Sequence, residues 1–289
     1  MLKKLMSCIL VVALLCGCTI TSFGMYEEIS ESVSSEEMKT FLISHDYPSD
    51  YLDSLILPQL ENLYHLAVEK NAYFYSRSTS CSGATSQNGD GTVVPTGNIP
   101  SDELYLSVTM SYTPISYNGA TYYGEMFMTV DYEWKELPMI RGIDAITVNW
   151  DSSLLVYGGD DSFTAYDYME NPYNNNWEVW KKWDKPKATN QGGLGIDTYI
   201  DSGANINSEW VSAAGLKGSV HFSLLPKTSL SMKINPESVT AVSADYTHNK
   251  NPLGFGLSFA FYGVSVSVAP GVLQDSISAT DTIRYTYVK

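Results

Sequence analysis

The chain has 289 residues, of which 44% are hydrophobic and only 17% charged, and its formal net charge is −15. This length is enough to bury a large core in one or two domains, and the acidic balance excludes long-range attraction to nucleic acid or anionic lipid. The many tyrosines and few charges are typical of β-sheets rather than of charged surface helices.

The first 24 residues predict a signal peptide. Two lysines precede an apolar run at residues 5–15, which is too short to cross a bilayer comfortably as a mature helix. The Leu-Cys-Gly-Cys sequence at residues 15–18 looks like a bacterial lipobox and predicts lipidation of Cys18. Alternatively, a small-x-small site at residues 22–24 predicts release of a chain that starts at Met25. Both alternatives place the protein outside the cell, either secreted or anchored to the outer face of the bacterial cytoplasmic membrane by its lipid alone.

Residues 25–35 are acidic and serine-rich, so they predict a disordered tether. A helical segment is predicted next, at residues 36–75. Ser34 and Glu37 have the spacing of a capping box at its start, and Pro58 suits the first turn of a later helix. We expect a small helical hairpin that docks on the following domain or covers it as a removable pro-region.

Residues 76–102 are rich in Ser, Gly, Thr, Asn and Pro and have almost no apolar period, which predicts a flexible linker and a domain boundary. Cys81, within this segment, is the one cysteine that survives either cleavage. The mature chain therefore has neither a disulfide framework nor a cysteine-based metal site. Residues 103–289 are predicted to form a β-domain.

The β-domain is expected to be organised around residues 125–157. Apolar and polar residues alternate from 126 to 134 and again within 144–157, which is the pattern of half-buried strands. The alternation places Trp134 and Trp150 on apolar faces that can share one layer. We therefore expect the core of an antiparallel domain here.

Two turn signals help to define the topology of this domain. Asn118-Gly119 predicts a type I′ hairpin, because both residues tolerate positive φ. A change of phase at Gly263 predicts a bulge or a tight turn. Further short strands are predicted near residues 104–112, 163–168, 196–200, 220–224, 230–234, 239–248 and 283–287. This pattern predicts a mainly β fold, an antiparallel β-sandwich or jelly-roll-like domain preceded by the helical hairpin.

The sequence contains no nucleophile elbow, zinc-protease helix motif, phosphate loop or dinucleotide-binding glycine motif. His221 and His248 fall on predicted strands without a supporting spacing, and we interpret both as packed or solvated side chains. Carboxylate pairs for glycoside hydrolysis are recognised by their separation in space, so the 32 acidic residues nominate no pair. No catalytic residue is predicted, and the interpretation favours a protein without enzymatic activity.

Four aspartates flank a predicted hairpin: Asp151, Asp160, Asp161 and Asp167. Carboxylates in such loops suit a hard cation, so they form a candidate Ca²⁺ site. Their spacing is not that of an EF-hand, and turn formation and solubility are the alternative roles. No other cofactor is expected.

Residues 170–193 contain the one basic cluster of this acidic chain, with three tryptophans at every third position. The candidate ligand-binding residues are Trp177, Trp180, Trp183, Lys181 and Lys182. Exposed indoles stack on sugar rings and lysines attract acidic polymers, so this segment predicts binding of glycan or cell-wall polymer. The alternative is that the tryptophans close one end of the sandwich.

The sequence by itself does not reveal a function. The leading hypothesis is an exported, non-enzymatic surface or binding protein for glycan or cell-wall polymer, with no nucleic acid partner. An extracellular carbohydrate-active hydrolase is the first alternative. The second is a pore-forming or bacteriocin-like toxin, because residues 218–234 and 255–268 alternate apolar and hydroxyl side chains over the length that a membrane strand requires.

Overall fold

A computed structural model describes residues 33–80, 85–87, 93–95, 99–117, 120–139, 142–199, 203–206, 209–227, 239–250, 257–261, 264–268 and 274–284. The predicted leader with Cys18, nearly all of the tether, Cys81 and the predicted strand at residues 230–234 lie outside this description.

Three α-helices come first: α1 Ser35–Ile43, α2 Ser49–Ser54 and α3 Leu57–Lys70. The predicted capping box is present at α1, where the Glu37 carboxylate accepts a hydrogen bond from the Ser34 amide at 2.9 Å and the Ser34 hydroxyl accepts from the Glu37 amide. Pro58 lies in the first turn of α3, where its missing N–H costs nothing. The N-terminal helical group is therefore confirmed.

The strands are β1 Tyr73–Thr79, β2 Thr85–Gln87, β3 Val93–Pro95, β4 Leu104–Tyr117, β5 Ala120–Trp134, β6 Ile143–Trp150, β7 Leu155–Tyr157, β8 Thr164–Glu170, β9 Trp177–Trp183, β10 Ala188–Asn190, β11 Gly193–Tyr199, β12 Gly203–Ile206, β13 Glu209–Ser212, β14 Leu216–Pro226, β15 Val239–Asn249, β16 Leu257–Phe261, β17 Val264–Val268 and β18 Gln274–Arg284. Each described pairing between them is antiparallel.

Two sheets carry the fold. A seven-stranded sheet has the order β1-β4-β5-β14-β8-β9, with β7 also paired to β14, and a five-stranded sheet has the order β10-β11-β6-β15-β18. Apolar side chains from both sheets form one buried cluster, which includes Trp134 of β5 and Trp150 of β6. The Trp134 indole donates a hydrogen bond to the Tyr246 hydroxyl of the opposite sheet at 3.1 Å. The predicted mainly β, antiparallel, sandwich-like fold is therefore confirmed, with the two tryptophans on facing sheets.

The alternating sequence of β5 predicts a half-buried strand with one face exposed to solvent. In the structure, that second face is buried as well. Phe127, Thr129 and Asp131 point away from the sandwich core, yet each is buried. The helices cover this face as a third layer: Gln59 of α3, for example, donates a hydrogen bond to the Asp131 carboxylate at 3.1 Å. Hydroxyl-rich strand faces that look solvent-exposed in the sequence thus become an interface.

The strands on either side of both predicted turns pair with each other, whereas residues 118–119 and 262–263, and with them the predicted turn type, lie outside the described residues. Strands β4 and β5 pair through Tyr117 and Ala120, and β16 and β17 pair through Phe261 and Val264. The second pairing corrects the toxin hypothesis, which took residues 255–268 as one long strand. The described part of this segment consists of two five-residue strands.

Two predicted boundaries are wrong. Residues 76–79, assigned to the linker, belong to β1 and pair with β4. The strand predicted over 144–157 stops at Trp150, because the Asp151 carboxylate accepts a hydrogen bond from the Ser153 amide at 2.8 Å and turns the chain. Of the last predicted strand, residues 283–284 end β18, which already begins at Gln274, and residues 285–287 lie outside the described residues.

Gly218 allows the ring of Tyr132 to lie directly over the sheet. A Cβ at position 218 would stand 2.1 Å from Tyr132 Cε1, and the ring is fixed because its hydroxyl donates to Asp167 at 2.6 Å. We expect Gly218→Ala to lower the free energy of unfolding by about 1–3 kcal/mol, measured by urea denaturation. Gly192→Ala is the matched control, because its nearest heavy atom would be 3.3 Å away. Equal costs for the two variants would contradict this packing.

Candidate ligand pocket between the helices and the seven-stranded sheet

Asp131 anchors the interface between the helices and the sheet. Its carboxylate accepts hydrogen bonds from the Tyr51 hydroxyl at 3.2 Å, from Gln59 Nε2 at 3.1 Å and from the Ser219 hydroxyl at 2.5 Å. Tyr51 belongs to α2, Gln59 to α3 and Ser219 to β14, so one side chain ties two helices to the sheet. Burial raises the pKa of the Asp131 carboxyl, and the Ser219 hydrogen bond and the positive charge of Arg77 oppose that rise.

Arg77, on β1, lies beside this carboxylate. Its guanidinium carbon is 4.3 Å from the centre of the Tyr51 ring and 5.6 Å from that of Tyr105, and the group donates a hydrogen bond to the Tyr105 hydroxyl. Within the described chain no carboxylate oxygen lies within 4.0 Å of it, and its Nε is buried without a hydrogen-bond partner. Two aromatic rings therefore hold a cation whose hydrogen-bonding capacity is largely unused.

Glu133 lies two residues beyond Asp131 on β5, so both side chains project from the same face. Lys135 Nζ is 2.7 Å from one of its carboxylate oxygens, and Lys217 Nζ is 3.4 Å from the other. The side chain of Lys135 is 44% exposed and that of Lys217 only 12%. The exposed lysine therefore marks the mouth of a recess that deepens towards Asp131.

These groups line one cavity of about 230 Å³, which we call the helix–sheet pocket. The residues that define it here are Tyr51, Arg77, Tyr105, Asp131, Glu133, Lys135 and Lys217. The pocket combines aromatic surface, fixed cationic donors and carboxylate acceptors at one place, which is the chemistry that orients a small hydrophilic ligand.

The candidate residues of the Trp/Lys segment are divided among different environments. Strand β9 is the edge of the seven-stranded sheet, and Trp180 and Trp183 pack against the sandwich core. Trp177 instead lies under Lys217, whose Nζ is 5.1 Å from the centre of the indole ring. The Lys181 and Lys182 ammonium groups lie 5.6 Å from the ring of Trp180 and 5.7 Å from that of Tyr166. The three indoles do not form a single exposed platform.

The four candidate Ca²⁺ ligands also have separate local roles. Asp151 caps the turn after β6, and Asp160 and Asp161 are exposed in a 3-10 helix at Asp160–Ser162. Asp167 is buried and accepts the Tyr132 hydroxyl. Across the described residues, no three His, Cys, Asp or Glu side chains are grouped as a metal site would need. Binding of Ca²⁺ stays a prediction.

Both histidines that the sequence placed on strands are packed, and each borders a further cavity. His248 lines a cavity of about 310 Å³, and its Nδ1 lies 3.0 Å from the buried Asp144 carboxylate. His221 lines one of about 380 Å³. Its Nδ1 lies 3.1 Å from Thr129 Oγ1, and its Nε2 is buried with no hydrogen-bond partner in the described chain.

His221 should make folding sensitive to acid. Burial lowers the pKa of its imidazole to about 4, below the value of about 6.5 in an unfolded chain. The unfolded protein then binds the extra proton between these values, so this residue's contribution to stability is complete above pH 6.5 and is lost as the pH falls towards 4. We expect His221→Gln to remove about 3 kcal/mol of the acid-induced loss in unfolding free energy between pH 7 and pH 4.

Urea unfolding at several pH values measures this effect. His65→Gln, at an exposed position on α3, is the control and should leave the acid-induced loss unchanged. A wild-type slope retained in His221→Gln would contradict the buried neutral imidazole.

Sequence reasoning missed Arg77, Tyr51 and Asp131 as a site. Arg77 fell in a predicted linker, Tyr51 in a helix with no distinguishing motif, and Asp131 among the polar positions of an alternating strand. Asp131 shares its face with the charged residues Glu125 and Glu133, so its charge did not single it out, and nothing local to the strand indicated which segment covers that face.

No described helix is both long enough and apolar enough to cross a membrane.

Comparison with known proteins gives no family. No protein family and no curated protein matches the sequence. Among solved structures, one from a study of pH-induced modulation of Streptococcus parasanguinis adhesion by Fap1 fimbriae is 10% identical with a TM-score of 0.25, over 72% of this chain and 95% of that one. A mutant of a family 29 carbohydrate-binding module is 6% identical with a TM-score of 0.18, over 56% and 97%.

An enzyme described as catalysing macrocyclization in alchivemycin A biosynthesis is 11% identical with a TM-score of 0.23, over 57% of this chain and 94% of that one. Likenesses this weak carry no argument about function, which must be built from the site itself.

Proposed function

We propose that this chain is an exported, non-enzymatic binding protein for glycan or cell-wall polymer, and that its ligand site is the helix–sheet pocket. The observation that carries the proposal is the arrangement around Arg77, whose guanidinium lies against the rings of Tyr51 and Tyr105 in a cavity that the Asp131 and Glu133 side chains also line. Sugars present both apolar ring faces and many hydroxyl donors and acceptors, so they need such mixed surfaces.

The location of the protein belongs to the same proposal. The leader predicts export, and a ligand outside the cell would be met by either a secreted or a lipid-anchored form. The helices are part of the binding protein rather than a removable pro-region, because Tyr51 of α2 and Gln59 of α3 both line the pocket. Loss of the helical segment would remove one wall of the site.

Glycan arrays and pull-down on purified cell-wall material test the proposal, using the exported chain without residues 1–24. We expect binding that is lost in Tyr105→Ala, because this partly exposed ring shapes the pocket mouth. Tyr173→Ala, an exposed tyrosine in the turn before β9, is the matched control and should bind like wild type. Absence of binding to every array glycan and to wall material, with the protein folded, would refute the proposal.

A carbohydrate-active hydrolase is the second candidate, and one observation favours it. Asp131 and Glu133 project from one face of β5 into the same cavity. Glycoside hydrolysis uses a pair of carboxyl groups, and the raised pKa of Asp131 would suit a general acid.

Release of reducing ends from wall polysaccharide distinguishes the two candidates. Hydrolysis that disappears in Glu133→Gln would replace the binding proposal by the enzyme. Binding without hydrolysis would leave the carboxylates as acceptors for sugar hydroxyls.

A further inference from the structure

We infer that the ligand of the helix–sheet pocket is a saccharide unit that carries a single carboxylate, and that Arg77 is the residue that recognises this carboxylate. The inference rests on the proposed function and names the ligand class of the same site. It comes from the state of Arg77, from the charges around it and from the acceptors that remain on the cavity wall.

Arg77 is prepared to bind a planar anion. Its one hydrogen bond in the described chain goes to the Tyr105 hydroxyl, so most of its five N–H donors have no protein acceptor. The rings of Tyr51 and Tyr105 restrict the guanidinium, which reduces the entropy that binding would cost. A guanidinium fork pairs with a carboxylate through two parallel hydrogen bonds.

A purely structural role does not account for Arg77. Its charge does oppose the rise in the pKa of Asp131, but that carboxylate already accepts hydrogen bonds from Tyr51, Gln59 and Ser219. A residue present only as a counter-ion would form an ion pair with Asp131 within 4.0 Å, and no such pair exists. The guanidinium therefore stays available to a second anion.

The surrounding charges favour a monoanion over a phosphate. Arg77, Lys135 and Lys217 supply three positive charges against the carboxylates of Asp131 and Glu133. The Glu133 carboxylate contacts both lysines, so it screens them from a ligand and would repel a dianion. Glu133 can instead accept hydrogen bonds from sugar hydroxyls. One carboxylate among several hydroxyls is the composition of a uronic acid.

Isothermal titration calorimetry with two matched ligands tests this inference on the exported chain. The matched ligands are methyl glucuronide and its uncharged counterpart methyl glucoside. Inorganic phosphate is a third, separate probe. We expect the glucuronide to bind roughly tenfold to a hundredfold more tightly than the glucoside, which is the effect of a charge-assisted hydrogen bond on affinity. The same preference should hold for uronic acid polymers over neutral polymers on the glycan array.

Arg77→Gln should abolish the preference between the two methyl glycosides while leaving weak binding of both, and Arg77→Lys should restore only part of it. Lys182→Gln, an exposed lysine on β9, is the control and should retain the full preference. Equal binding of both glycosides by the wild-type protein overturns the inference and leaves the proposed function intact, whereas absence of all saccharide binding overturns both. Preferred binding of phosphate also overturns it. The affinities of the wild-type protein for the two methyl glycosides test the inference even if an Arg77 variant fails to fold.

Discussion

Replacing Asp131 by alanine is expected to lower the free energy of unfolding by about 3 kcal/mol or more. The substitution leaves the buried hydroxyl of Tyr51, the amide of Gln59 and the hydroxyl of Ser219 without their shared acceptor, and buried donors without partners are costly. Urea denaturation measures the loss. Asp161→Ala, at an exposed carboxylate of the 3-10 helix, should stay within about 0.5 kcal/mol of wild type.

The loss of stability in Asp131→Ala should be largest at the interface between the helices and the seven-stranded sheet. Hydrogen exchange of α1 to α3 is expected to accelerate more in Asp131→Ala than exchange of β6 and β15, because the helices are held to the sheet through this carboxylate while the sandwich core is not. Uniform acceleration through both regions would contradict this role and would indicate a global loss of stability.

Asp131→Asn separates the charge of this residue from its shape. Because burial raises the pKa of the folded carboxyl, the folded protein binds a proton more tightly than the unfolded one. Its contribution to stability therefore falls as the pH rises from about 4 through the raised pKa. We expect the Asn variant to lack this fall, so its unfolding free energy should depend less on pH in that range. An unchanged pH profile would contradict the raised pKa.

The second large effect is expected at the Asp144–His248 pair in the five-stranded sheet. Asp144 is fully buried. Its carboxylate accepts hydrogen bonds from the Tyr246 hydroxyl at 2.8 Å and from the backbone N–H of Asn249 at 3.0 Å, and it also contacts His248 Nδ1. Removing the Asp144 carboxylate leaves the Tyr246 hydroxyl, the backbone N–H of Asn249 and the His248 imidazole buried without their shared acceptor. Asp144→Ala should lower the free energy of unfolding by about 3–5 kcal/mol.

A double-mutant cycle isolates the interaction between Asp144 and His248. The cost of the double variant should be less than the sum of the two single costs, because the second substitution removes a partner that is already lost. The exposed Lys39–Asp53 ion pair, at 2.6 Å, is the matched control. Its coupling should be much smaller than that between Asp144 and His248, since solvent screens it. Additive costs at Asp144 and His248 would contradict a direct interaction.

Local sequence patterns were sufficient to predict several elements. The Ser34–Glu37 capping box, the strands on either side of Asn118-Gly119 and the inner face of β5 from Met126 to Trp134 were all correctly predicted. Each depends on residues only a few positions apart, where backbone geometry and side-chain period act directly.

The sequence alone therefore determined the mainly β class, the N-terminal helices and the apolar face of the central strands. Only the tertiary structure decided what covers the other face of β5, since a period of two shows that a face is polar but not whether solvent or another layer meets it. The helix–sheet pocket depends on that third layer, since Gln59 and Asp131 are 72 positions apart. The Asp144–His248 contact of the five-stranded sheet likewise joins residues 104 positions apart. Contacts over such separations depend on how sheets and helices pack, because no local propensity links residues that far apart along the chain.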